Sequence, residues 1–317
     1  MSIDNRLLAS LEHNLGSTIV SALRDPDVVE IMVNPDSQIW IEKLGEEMKA
    51  VSEMNIEQAR LVLSLVASGL GTTVNPEKPI IEGELPLDGS RFEGLLPPIV
   101  SAPSFTIRKK ASRVFAIDEY IRQGIMPAFL LEVFRSALVS RRNILVVGGT
   151  GSGKTTLVNA LILTLAGLCP EDRLLILEDT MELQSKSPNT VFLRTSDHVD
   201  MRRLVKVTMR YRPTRIIIGE VRDGAALDLL KAWNTGHPGG IATVHANSAA
   251  EGLDRVEELI AEATTAPKQK LIGKSINIVV FIERAPGNVG RRISEVLSVT
   301  GYDAKNHKYQ TEVIYHA

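Results

Sequence analysis

Cysteine occurs once in the 317-residue chain, at Cys169. A single thiol excludes an internal disulfide framework and a cysteine-ligated zinc site, and with no motif around it Cys169 reads as a small packed apolar residue. Aromatic residues make up only 4% of the chain, too few for the stacking platforms that line single-strand nucleic-acid channels. Neither sign of charge dominates. Lys and Arg number 36, Asp and Glu 38, and the net charge is −2, so no broad field points to bulk nucleic acid or an anionic membrane. No run approaches the ~20 apolar residues of a membrane-spanning helix. The most apolar stretches, around Leu161–Leu168 and Ile276–Ile282, are helix- and strand-sized. The opening Met1–Ser2–Ile3–Asp4–Asn5–Arg6 lacks the charged-then-apolar order of a signal peptide. Membrane association is therefore expected to be peripheral, in a reducing cytoplasmic setting.

What is present is a phosphate-binding loop. Gly148, Gly149, Thr150, Gly151, Ser152, Gly153, Lys154 and Thr155 fit G-x-x-x-x-G-K-[ST], with Thr156 following. Ile144–Val147 before it reads as a buried parallel strand, and a helical pattern starts near Lys154. Glycines let the backbone turn sharply and aim successive N–H groups at a polyphosphate. The positive end of the following helix faces the same anion. Lys154 is placed to reach the β- and γ-phosphates, and the Thr155 hydroxyl to ligate Mg²⁺. The pattern predicts ATP and Mg²⁺ as ligands.

From about Ala128 onward, helical and strand patterns alternate, which implies a mostly parallel sheet with helices on both faces. Ligands in such sheets sit beyond the carboxyl ends of the strands. Glu178 ends the strand Arg173–Leu177, Glu220 follows Ile216–Gly219, and His245 follows Ile241–Val244. These ends, with the loop, are expected to converge on one crevice. Glu220 would orient and deprotonate the attacking water, unless it merely pairs with Arg222 or Arg215. His245 would report on the γ-phosphate. His237, in a loop, is ambiguous. Residues 1–110 read as a smaller α+β domain: a helix with Leu7, Leu8, Leu11, Leu15, Ile19 and Leu23 on one face, a second helix over Ile56–Leu70, and short strands. Residues 111–127 read as a linker with a hinge at Ala111–Ile117, and residues 128–317 as the nucleotide domain. Arg91 and Arg108, taken alone, are ordinary solvated cations.

Four boxes occur in order: Gly148–Thr155, Ile176–Leu183, Arg212–Arg222 and Gly236–Asn247. They resemble the Walker A, Asp, Walker B and His boxes of the type II/type IV secretion ATPase superfamily, and the whole chain resembles its conjugative-transfer branch. The resemblance implies a RecA-like P-loop NTPase domain (α/β) beneath a smaller N-terminal α+β domain. It implies a homohexamer at the cytoplasmic face of the bacterial inner membrane, working with inner-membrane components of a type IV secretion or conjugation system. Direct sequence-specific nucleic-acid binding is not expected. By position, Glu220 is the Walker B glutamate, Glu178 the Asp-box acid and a candidate metal ligand beside Thr155, and His245 the His-box residue. Arg91 and Arg108 lie where the family supplies arginines to the phosphates. Arg202, Arg203 and Arg210 are weaker candidates for subunit contacts. The Walker B strand lacks the family's usual aspartate, with Thr214 and Arg215 before the isoleucines and Gly219 before Glu220, and the chain lacks the four-cysteine zinc element of the type II assembly ATPases. The rivals are a pilus extension or retraction motor of the same superfamily, and a RecA-like nucleic-acid motor.

Overall fold

The computed structural model describes residues 5–43, 46–110, 113–196, 198–286 and 290–317. The chain divides into two compact units, Met1–Arg113 and Val114–Ala317.

In the first unit an antiparallel six-stranded sheet carries two helices on one face. The strands are β1 (Val28–Val33), β2 (Gln38–Lys43), β3 (Lys49–Glu53), β4 (Ile80–Glu84), β5 (Arg91–Leu95) and β6 (Ser104–Arg108), in the order β3-β2-β1-β6-β5-β4. Period-two alternation puts Ile31, Val33, Phe92, Phe105 and Ile107 on the covered face. Leu11, Leu15 and Ile19 of α1 (Asn5–Arg24) and Val62, Leu63 and Val66 of α2 (Ile56–Gly69) close the core over them. The helix expected near the start of the chain is thus packed on its own unit. The Asn55 side chain accepts from the Glu57 N–H and starts α2.

The other face of this sheet bears charge. Arg91 and Arg108 are register partners on β5 and β6, and Glu30 of β1 pairs with Arg108 on its far side. Burial pushes the Glu30 carboxyl above its ordinary range, and the two guanidinium groups oppose that rise.

The second unit is built on an eight-stranded sheet. Its strands are β7 (Ile144–Val147), β8 (Leu174–Glu178), β9 (Thr190–Arg194), β10 (Arg215–Ile218), β11 (Ile241–Val244), β12 (Ile278–Arg284), β13 (Arg291–Asp303) and β14 (Lys308–His316). The order is β14-β13-β12-β7-β11-β10-β8-β9, parallel from β12 to β9, with β13 and β14 added antiparallel. The central strands β7, β10 and β11 are buried along their whole length because both faces of the sheet are covered; β7 is wholly apolar, while β10 opens on Arg215 and β11 holds Thr243. On one face lie α3 (Ile117–Arg122), α4 (Phe129–Val139) and α5 (Lys154–Leu168). On the other lie α6 (Met201–Thr208), α7 (Ala225–Asn234), α8 (Ala249–Ala261) and α9 (Gln269–Ser275).

One boundary needs correction. Much of the stretch expected as a linker, residues 111–127, is core rather than connection: Ile117, Tyr120, Ile125 and Met126 are buried with α4 and α5. Of the expected hinge at Ala111–Ile117, Ala111 and Ser112 lie outside the described residues, and Ile117 opens a helix.

Candidate active site

The loop after β7 lies at the carboxyl end of the sheet. Gly151 (φ 68°) and Gly153 (φ 99°) occupy left-handed backbone, which side-chain-bearing residues avoid. Beyond Gly153 the helix α5 begins at Lys154, so the first-turn N–H groups of Lys154, Thr155 and Thr156 lead the helix toward the loop. The Lys154 ammonium donates to the Gly148 carbonyl at 2.9 Å and the Gly149 carbonyl at 2.8 Å. Lys154 is 8% exposed. That burial keeps the cation against the loop rather than in solvent. The Ser152 hydroxyl is buried with no hydrogen-bond partner.

Two neighbouring strands deliver groups to this lysine. His245, just past β11, places Nδ1 3.3 Å from the Lys154 ammonium. Its Nε2 stands 2.9 Å from Glu220 Oε1, just past β10. An ammonium can only donate, so Nδ1 accepts and the ring proton sits on Nε2, donated to Glu220. The other carboxylate oxygen of Glu220 accepts from Arg222 at 2.6 Å. A continuous polar path therefore runs Lys154, His245, Glu220, Arg222, with Asp179 3.9 Å beyond Arg222. Burial alone would raise the Glu220 carboxyl, but the Arg222 hydrogen bond and charge, with His245 and Lys154, hold it below the usual range. Burial, then the Lys154 charge, push the His245 imidazole down, against the pull of Glu220. The Glu220 carboxyl is thus ionised and the imidazole neutral near pH 7.

Glu178 ends β8 and is buried at 4% exposure. Its Oε1 accepts from the backbone N–H of Glu182 at 3.0 Å and of Leu183 at 2.9 Å, fixing the turn that follows. Its side chain also lies against Gly219: a Cβ there would come within 2.9 Å of Glu178 Cγ. A side chain at 219 would occupy space that Glu178 already fills.

Among the described residues no group of three or more His, Cys, Asp or Glu could hold a metal ion. A hydroxyl at the start of α5 and a carboxylate mostly committed to backbone suit an ion bound chiefly by phosphates and water, which is how Mg²⁺ is usually held.

His237 falls elsewhere. The Gly236–Gly240 loop precedes β11, so it lies at the opposite end of the sheet from His245. There the His237 ring lies 3.2 Å from the Pro213 carbonyl, and Asn143 Oδ1 accepts from Gly239 and Gly240 at 2.7 and 2.9 Å. Beneath it Arg215, fully buried, binds Asp172, which also accepts from Arg141 at 2.9 Å. This network ties the loop to the foot of the sheet. Arg202 pairs with Asp228 at 3.1 Å, while Arg203 and Arg210 are exposed.

Sequence reasoning missed two arginines that touch the loop. Arg284 at the end of β12 lies over Gly151, where a methyl group would collide with its guanidinium. Arg291 at the start of β13 lies over Gly153, where a Cβ would meet its Nη1 at 2.7 Å, and that same atom is 3.5 Å from the Thr156 hydroxyl. Neither carries a motif; only the β12–β13 pairing beside β7 brings them there.

The family model described as "Type II/IV secretion system protein" matches residues 13–286. "Probable conjugal transfer protein TrbB" of Sinorhizobium fredii (strain NBRC 101917 / NGR234) is 52% identical, over 97% of this chain and 93% of its own length. "Type IV secretion system protein PtlH" of Bordetella pertussis (strain Tohama I / ATCC BAA-589 / NCTC 13251) is 31% identical, over 84% of this chain and 88% of its own. The crystal structure of the pilus retraction motor PilT with bound ADP shares the fold, with a TM-score of 0.63 at 17% identity, covering 97% of this chain and 83% of that one. The phosphate loop, the parallel sheet that carries it and these relatives agree: the chain belongs to the type II/IV secretion ATPase family.

Proposed function

We propose that this ATPase is a Mg²⁺-dependent motor that powers a type IV secretion or conjugative-transfer machine as a homohexameric ring, docked on inner-membrane components at their cytoplasmic side. The observation that carries the catalytic part is the polar path from Lys154 through His245 to Glu220 at the carboxyl ends of adjacent strands. Lys154 neutralises charge on the β- and γ-phosphates. Glu220, ionised and held by two donors, orients the attacking water and takes its proton. His245 joins the two, so a change at the lysine is felt at the base. Mg²⁺, held by the Thr155 hydroxyl with Glu178 acting through water, would spread the developing charge of the phosphoryl transfer.

In this reading Arg91 and Arg108, adjacent on the first unit's sheet, grip the nucleotide from that domain, and their hold differs between ATP and ADP. Only such a differential contact can turn hydrolysis into movement of one unit against the other. Glu220→Gln tests the catalytic assignment. Hydrolysis should fall by ~10²–10⁴-fold, the usual worth of a general base, while ATP binding persists. A variant that still turns over ATP at the parent rate removes Glu220 from the role. A nucleic-acid motor would hydrolyse faster with single-stranded DNA; no such rise is expected here.

A further inference from the structure

The loop of this site has two flanks. On one side of β7 stands β11, and beyond it β10, bringing His245 and Glu220. On the other stands β12, whose last residue is Arg284, paired in register with Arg291 at the start of β13. The acid and imidazole mark the flank where the γ-phosphate reacts. The arginines lie instead over Gly151 and Gly153 and near Thr156, and it is the loop backbone that cradles the α- and β-phosphates.

Two guanidinium groups thus stand opposite each other on an antiparallel pair, both against the glycines of the phosphate loop. A planar guanidinium fork matches a phosphate with paired N–H donors. The buried, unpartnered Ser152 hydroxyl lies in the same loop, between the two glycines.

Resting on the nucleotide reading above, the geometry points to Arg284 and Arg291 as a second cationic wall of the site, which binds the α- and β-phosphates of a nucleoside di- or triphosphate. The wall does not read the γ-phosphate. It therefore holds ADP as firmly as ATP, and its grip governs how readily product leaves. The two grips are separate. Lys154 and the groups linked to it respond to the bond that breaks, whereas the β12–β13 hairpin responds to the part of the nucleotide that survives.

The test uses the full-length chain with ATP and ADP as probes. Dissociation constants are measured for the parent, Arg284→Gln, Arg291→Gln and the conservative Arg284→Lys and Arg291→Lys, with nucleotide-free melting temperatures for each. Each glutamine variant should weaken ATP and ADP alike, by ~10-fold, which corresponds to about 1.4 kcal/mol. The lysine variants should recover part of that loss. KM for ATP should rise by more than kcat falls. Nucleotide-free Tm should hold, while the Tm gain on adding ADP shrinks. Unchanged affinities in both glutamine variants would overturn the wall, as would a loss confined to ATP. A fall in nucleotide-free Tm that accounts for the lost affinity would assign the arginines to shaping the loop instead. A parent chain that binds neither nucleotide would overturn the nucleotide reading itself, whereas a parent that binds both with indifferent variants sinks the arginines alone.

Discussion

At the scale of the residue, the imidazole of His245 stands between a cation and an acid. Its ring accepts from Lys154 and donates to Glu220, an arrangement available only to the neutral form with the proton on Nε2. Burial and the Lys154 charge lower its pKa, so the folded chain resists a proton that the unfolded chain accepts near ~6.5. The stability this group contributes is complete above that value and is lost as pH falls through it toward the folded pKa. Melting temperature followed from pH 8 down to pH 5 should fall more for the parent than for His245→Gln. Arg222 sets a second limb. It lowers the Glu220 carboxyl by a direct hydrogen bond, so Arg222→Ala should move the acid limb of the kcat profile to higher pH, and Arg222→Lys should move it less. A limb that stays in place in Arg222→Ala would show that the guanidinium does not tune the base.

At the scale of the element, the strand–loop–helix unit from β7 to α5 was legible because each part is dictated locally. Four apolar residues in a row need burial on both faces, glycines supply left-handed turns, and the helix starts where they end. The acids and the imidazole were legible for a related reason, since each ends an apolar strand and parallel strands deliver their carboxyl ends to one edge. Other elements left no such trace. Every residue of β3 is exposed, so no alternation marks it, and β9 at the sheet's edge buries no residue fully. The arginines of β12 and β13 look like any surface cation until the hairpin folds back beside β7. The foot of the sheet was hidden too, because nothing in a sequence says that Arg215 is wholly enclosed. That enclosure makes a prediction. Asp172 holds a fully buried guanidinium, and removing one partner of such a pair strands the other's charge, at a cost of ~3–5 kcal/mol. Asp172→Ala should lower stability by that amount in chemical denaturation, well beyond a typical surface substitution.

At the scale of the whole molecule, each unit has its own hydrophobic core, one beneath α1 and α2 and two flanking the larger sheet. The boundary lies near Arg113 and Val114 because α3 belongs to the second unit's core. A chain restricted to residues 114–317 should therefore fold and bind nucleotide, with hydrolysis reduced ~10-fold or more if Arg91 and Arg108 act on the phosphates as proposed. The same loss should follow from Arg91→Ala and Arg108→Ala in the full chain. Hydrolysis at the full rate by residues 114–317 alone would remove both arginines from the chemistry. No helix among the described residues is long and apolar enough to cross a membrane.

The contact between Glu178 and Gly219 has a consequence for any attempt to edit this edge of the sheet. The bare backbone at 219 is what leaves the Glu178 side chain its room. Gly219→Asp would set two carboxylates in one space, so it should lower both stability and nucleotide turnover unless Glu178 is shortened in the same molecule.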